Sequence, residues 1–122
     1  MQDRRLGVVE TRFAELIWSH APISSGELVH LCSRELEWKN STTYTVLKKL
    51  CERGLFKTEQ STVSVLIARD DFYAMQSEKF VEDTFAGSLP AFIAAFASRK
   101  RPTEKELEEI RRMIDGFGKE QE

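Results

Sequence analysis

The 122-residue sequence predicts a mostly α-helical protein with one small β-hairpin, and three observations carry that prediction. Apolar residues recur at helical spacing through most of the chain, beginning with Val9, Phe13, Leu16 and Ile17. Hydroxyl, amide or carboxylate side chains stand at the starts of those stretches, where a helix leaves backbone N–H groups unpaired. Helical spacing stops once, at Gly54, and the stretch after it is rich in Val, Thr, Leu and Ile.

The elements follow in order. Val9, Phe13, Leu16 and Ile17 mark the buried face of a first helix that ends near Ser19, with Pro22 closing the linker. Ser24 and Glu27 form a capping box at the start of a second helix, whose core face is Leu28, Leu31, Cys32 and Leu36. Asn40 or Ser41 caps a third, with Thr43, Val46, Leu47 and Leu50 inward and Gly54 at the left-handed C-terminal position. Leu55–Glu59 and Thr62–Ala68 read as a hairpin, although Gln60-Ser61 is a poor tight-turn pair. Asp70 or Asp71 caps a fourth helix running to about Ala86. Ser88 and Pro90 open a fifth, with Leu89, Phe92, Ile93 and Phe96 on its apolar face. Thr103 and Glu106 form a second capping box, opening a last helix with Leu107, Ile110 and Ile114 inward. The tail from Gly116 is expected to fray.

Three helices followed by a hairpin is the order of a winged helix-turn-helix, in which the third helix enters the DNA major groove. This assigns residues 1–69 to a winged-helix DNA-binding domain and residues 70–122 to a helical dimerisation segment.

Composition narrows the function. No apolar run approaches the roughly 20 residues of a membrane span. The stretch from Met1 to Gly7, with Arg4 and Arg5, carries no signal-peptide core, so a cytoplasmic setting is expected. Two cysteines in no paired motif fit a reducing compartment. The net charge is −2, but residues 1–60 hold 9 Lys+Arg against 8 Asp+Glu, and residues 61–122 hold 9 against 12. Lys39, Lys48, Lys49, Arg53 and Lys57 crowd one short stretch beside a single acid, Glu52. A local basic surface on an acidic chain suits a protein that meets a polyanion on one face.

The outward face of the third helix presents Ser41, Thr42, Tyr44, Thr45, Lys48 and Lys49. Ser and Thr are weak helix formers, so a merely solvated face would carry Glu, Lys, Gln or Ala instead. Hydroxyls, methyl groups and an aromatic ring suit phosphate oxygens, base edges and thymine methyls. Capping alone accounts for Asn40 and Ser41 but not for Thr45. Lys48, Lys49 and Arg53 follow a turn or two later, within reach of the sugar–phosphate backbone. An enzyme is not expected. His20, His30, Cys32 and Cys51 have no zinc-ligand spacing, the two cysteines lie near core faces, and no glycine-rich phosphate loop follows a strand. Neither a metal site nor a cofactor is expected.

The segment after residue 70 holds Phe72, Phe80, Phe85, Phe92, Phe96 and Phe117. Three short helices cannot bury that much apolar area alone. Pairing with the same segment of a second chain resolves this, and Phe72, Phe80, Phe85, Leu89, Phe92, Ile93, Phe96, Leu107, Ile110 and Ile114 are the expected interface of a two-fold homodimer. Two other functions fit the same pattern: a winged helix used for protein interaction, and a ligand-responsive regulator with its pocket between the two segments.

Several stretches together resemble one family. They are Phe13–Trp18 with Pro22, Glu37-Trp38-Lys39, Thr42 to Leu50, Arg53-Gly54-Leu55, Phe80, Phe85-Ala86-Gly87-Ser88, Phe92–Phe96 and the Glu106–Ile110 region. In these the chain resembles the penicillinase repressors of the BlaI/MecI type, the family that includes the copper-responsive CopY repressors. The resemblance implies a homodimeric repressor on a double-stranded palindromic operator built from inverted TACA/TGTA-like halves. Lys39, Ser41, Thr42, Tyr44, Thr45, Lys48 and Lys49 then fall on the DNA-reading helix or its entrance. It also implies a membrane sensor protease in the same circuit, cutting beside Phe80. Two features depart from the family: no Cys follows Cys51, against a copper response, and the wing has Lys57 as its one strong phosphate contact.

Overall fold

A computed structural model of the chain describes residues 5–120, with Glu120 described by its backbone only. Met1–Arg4, part of the stretch read against a signal peptide, and Gln121-Glu122, the end of the expected fraying tail, lie outside the described residues. The order of elements is α1 (Val8–His20), β1 (Ile23–Ser24), α2 (Ser25–Leu36), α3 (Asn40–Glu52), β2 (Phe56–Glu59), β3 (Thr62–Val65), α4 (Arg69–Phe85), α5 (Leu89–Arg99) and α6 (Glu104–Glu120). This is a winged helix followed by further helices.

The first compact unit, Met1–Glu78, is built on one apolar core. Phe13, Ala14 and Ile17 of α1 meet Leu28, Leu31 and Cys32 of α2 and Leu47 and Leu50 of α3, with Leu55, Phe56 and Val63 from the hairpin. The expected α1 stripe is shifted: Val9 is 53% exposed, and Ala14 takes the inward place. Trp18 spans the layers, its indole N–H donating to the Ile67 carbonyl at 3.0 Å and its ring lying 5.4 Å from that of Phe72.

The ends of these elements are set by specific bonds. Ser24 Oγ accepts the Glu27 N–H at 3.1 Å, the hydroxyl half of the expected box. α3 ends in a Schellman motif: the Gly54 N–H reaches the Cys51 carbonyl at 3.0 Å and the Leu55 N–H reaches that of Leu50 at 3.1 Å. That geometry needs φ of +85° at residue 54, which glycine adopts without a Cβ clash. The hairpin turn is Gln60-Ser61, both left-handed at φ 50° and 60°, a type I′ arrangement without the usual glycine. The Ser61 carbonyl accepts the Ser25 N–H at 2.8 Å, which ties the turn to α2. A short third strand, absent from the sequence expectation, completes an antiparallel sheet of order β1-β3-β2, with Ile23 opposite Val63.

α4 begins at Arg69, so Asp70 and Asp71 are first-turn residues and not the caps expected of them. There they complement the positive helix end. Its start is bonded to α1: Arg69 Nε lies 2.8 Å from Glu15 Oε1, and the Tyr73 hydroxyl donates to the same oxygen at 2.6 Å. Phe72 and Tyr73 therefore belong to the first unit. Phe72, expected at a subunit interface, is 2% exposed inside this core and has no surface to offer a partner. The boundary between the two compact units falls at Glu78/Lys79, inside α4.

The second unit, Lys79–Glu122, is different in kind. Phe80, Phe85 and Phe92 form a mutual edge-to-face cluster with ring centroids 5.6–6.0 Å apart. Yet none of its described hydrophobic side chains is fully buried. Ser88 Oγ accepts the Ala91 N–H, and Thr103 and Glu106 exchange both bonds of a capping box at 2.9 and 3.1 Å. α6 continues through Gly116 to Glu120, past the point where fraying was expected. The apolar stripe Ile110, Ile114, Phe117 keeps its helical spacing through the glycines.

Candidate nucleic-acid interface

α3 buries Thr43, Leu47 and Leu50 and turns its other face to solvent. Its N-cap is Lys39, with backbone φ −72° and ψ 157° and no side-chain cap bond. Asn40 and Ser41, expected as caps, are instead the first two helical residues, so the Ser41 and Thr42 side chains stand exposed at the open end of the helix. A helix start without a capping side chain leaves backbone N–H groups available to an anion. Thr45, for which capping gave no account, has a structural partner after all: its hydroxyl donates to the Ser41 carbonyl at 2.9 Å. Its oxygen lone pairs and methyl group are what it can offer to another molecule. Tyr44 is 48% exposed.

Between α3 and the hairpin runs an open cleft of about 530 Å³, lined by Ser25, Tyr44, Leu47, Lys48, Cys51, Thr58 and Ser61. Hydroxyls dominate its polar groups and Lys48 is its one cation. Lys48 makes no ion pair among the described residues. Burial raises the Cys51 thiol above its ordinary pKa, Thr58 Oγ1, 3.8 Å away, offsets this in part, and the Glu52 charge reinforces it.

Three other basic residues around α3 and the wing lie beside acids. Lys57 Nζ on β2 is 3.2 Å from Glu59. Lys49 Nζ and Arg53 Nη1 lie 3.7 and 3.6 Å from Glu10 Oε2 at the start of α1, and Arg53 Nη1 also donates to the Arg5 carbonyl at 3.0 Å. Arg53 thus ties α3 to the chain before α1. The Gly7 N–H, donated to Glu10 Oε1, holds the Glu10 carboxyl below its ordinary pKa; burial opposes this, and Arg53 and Lys49 reinforce it.

The structure therefore brings Ser41, Thr42, Tyr44, Thr45 and Lys48 onto one exposed helix face, with exposed Lys39 at its entrance. Lys49 and Arg53 are set toward α1, and Lys57 lies on the wing. Sequence reasoning missed Ser25, Thr58 and Ser61 in the cleft, and Glu10 beside Lys49 and Arg53. Thr58 and Ser61 were visible as hairpin hydroxyls. Ser25 joins them only through the turn's bond to α2, and nothing local to Glu10 announces partners 39 and 43 positions away.

In the second unit, Phe80, Leu89, Ile93, Phe96, Ile110 and Ile114 are each 41–60% exposed, and Met113 and Phe117, not expected there, are as open. Phe85, Phe92 and Leu107 are half-buried. An apolar hollow of about 260 Å³ lies between α5 and α6, lined by Phe92, Ile93, Phe96, Ala97, Pro102, Glu106 and Ile110. Among the described residues no cluster of three or more His, Cys, Asp or Glu side chains is placed to hold a metal, and no single helix is long and apolar enough to cross a membrane.

Comparison with known proteins agrees with this architecture. The family model described as "Penicillinase repressor" matches residues 6–116. A penicillinase repressor of Staphylococcus aureus is 22% identical over 118 residues, 93% of this chain and 94% of the relative. Another, of Bacillus licheniformis, is 23% identical over 110 residues, 87% of this chain and 86% of the relative. The match runs through both the helix-turn-helix unit and the helices after it, and the chain belongs to the penicillinase repressor family, whose members are DNA-binding transcriptional repressors and not enzymes.

Proposed function

We propose that the protein is a homodimeric repressor that reads a palindromic operator through α3 of each subunit. One observation carries the reading: α3 turns Ser41, Thr42, Tyr44, Thr45 and Lys48 to solvent on a helix whose opposite face is locked into the core. Hydroxyls and an aromatic at the N-terminal half suit base edges and thymine methyls, while Lys48 and Lys39 suit phosphates. The wing adds Thr58 and Lys57 beside the same cleft.

The lack of a fully buried side chain among the described residues of the second unit supports pairing through this segment. Exposed Leu89, Ile93, Phe96, Ile110 and Ile114 would leave water only against another apolar surface, and a second copy supplies a self-complementary one. In this division of labour 1–78 reads DNA and 79–122 joins two readers. Action in the cytoplasm and release by a membrane sensor protease belong to the same reading. A cut beside Phe80 would free the reading unit from its pairing surface, and each unit would then hold one half-site alone.

The test is a titration of a duplex carrying inverted TACA/TGTA halves against a scrambled duplex, with the full chain and with residues 1–79. The full chain should prefer the inverted duplex. The shorter chain should stay folded and bind it at least about a hundredfold more weakly, as loss of bivalency requires. Equal binding by the two chains would refute pairing as the basis of affinity.

A further inference from the structure

Glu10 lies on α1, outside the DNA-facing residues, yet it meets two basic side chains of α3. Its Oε1 accepts the Gly7 N–H at 3.1 Å, which is the work of a capping carboxylate. Capping accounts for that oxygen alone. Oε2 is buried without a hydrogen-bond partner and faces Lys49 Nζ at 3.7 Å and Arg53 Nη1 at 3.6 Å. The two cations are four residues apart, so they rise from one edge of the C-terminal half of α3. An anionic oxygen set between two cations at a DNA-reading surface occupies the role a backbone phosphate oxygen would otherwise fill.

We propose that Glu10 is an internal competitor for DNA phosphate, holding Lys49 back and so limiting sequence-independent binding; this rests on α3 being the helix that faces DNA. Binding to arbitrary DNA is set by how many phosphates the protein neutralises, so each free cation on this face strengthens attachment to every sequence alike. Lys49 is half exposed and can be drawn away from Glu10, so the pair weakens the phosphate contact without abolishing it. Arg53 is more buried and also bonded to the Arg5 carbonyl, so it stays with α1. Lys48, next in the chain and without an ion pair among the described residues, is the uncompensated counterpart. Adjacent lysines on one helix thus differ in what they can give to DNA.

Glu10→Gln tests this, because glutamine keeps an oxygen for the Gly7 N–H and loses only the charge. Binding is read by fluorescence anisotropy on a scrambled duplex between about 50 and about 200 mM salt, with folding checked by circular dichroism. Affinity should rise about three- to tenfold at the low-salt end, and the salt slope should steepen by roughly one unit per subunit. Lys49→Met in the Glu10→Gln background should remove that gain and bring both to the parent values or slightly below them. Parent-like affinity and slope in a folded Glu10→Gln would overturn the proposal. A second comparison leaves Glu10 intact: Lys48→Met should lose about one unit of slope and Lys49→Met less than half of that. Equal losses would also overturn it. Thr45→Ala on the inverted-repeat duplex separates the two levels. Weakened binding there beside an unchanged Glu10→Gln rejects Glu10 alone, and parent-like binding by Thr45→Ala rejects α3 as the reader and this proposal with it.

Discussion

Thr45 commits its hydroxyl proton to the Ser41 carbonyl 2.9 Å away, so any contact it makes with DNA uses its oxygen as acceptor or its methyl group. A lone-pair contact suits a base amino group, and a methyl contact suits thymine. Thr45→Ala should cost about 1–3 kcal/mol on the operator and far less on random DNA, measured by paired titrations. Thr45→Val keeps the methyl, so recovery of most of that loss would assign the contact to thymine. Glu10 carries a second prediction, in pH. Its carboxyl is held below its ordinary pKa, first by the Gly7 N–H, so the stabilisation is present above the unfolded value of about 4.3 and is lost as pH falls through the folded value. Urea melts of the parent and Glu10→Gln should therefore differ at neutral pH and converge as pH falls below the ordinary carboxylate range. The outward face of α3 was legible because helical period alone separates Tyr44 and Lys48 from Leu47 and Leu50. The Glu10 pair was not, since it depends on how α1 crosses the end of α3.

Among the elements, those defined by local chemistry were legible and those defined by packing were not. The Thr103/Glu106 box, the Ser88 cap and the Gly54 terminus each need only a few neighbouring residues, and each forms as the sequence suggests. β1 was hidden because two residues carry no period, and it exists only by pairing with β3. α6 runs past its glycines although each costs about 1 kcal/mol of helix propensity, a price that local reasoning weighed too heavily against the continuing apolar stripe. The wing turn conflicts with its own sequence. Gln60 and Ser61 both sit in the left-handed region, where a residue with a Cβ is disfavoured. Replacing the pair with Asn-Gly should stabilise the protein by about 1 kcal/mol in denaturant melts. A loss of stability would mean that the Ser61 link to α2 depends on the side chains present.

At the scale of the whole molecule, the two units divide structural self-sufficiency unequally. The first encloses Phe13, Phe56 and Phe72 in its own core, while the second leaves Leu89, Ile93, Phe96, Ile114 and Phe117 more than half exposed. The count of aromatic residues after residue 70 made the exposed apolar surface of this segment legible. It could not tell Phe72, claimed by Trp18, from the rings that remain open. Phe92→Glu with Phe96→Glu places charges in the proposed pairing surface, where burial without partners is costly. The variant should sediment as a folded monomer and lose operator affinity while keeping weak half-site binding. A parent that is monomeric at micromolar concentration would contradict pairing outright.

The central claim, that two copies of α3 read one symmetric site, is tested most directly by selecting bound sequences from a pool of random duplexes. The enriched sequences should be inverted repeats, with half-site centres separated by about one helical turn (10–10.5 base pairs) or a multiple of it. Thr45→Ala should blur the same position in both halves. A pool that yields no enriched motif, or a single unsymmetric site unaffected by Thr45→Ala, would contradict the account.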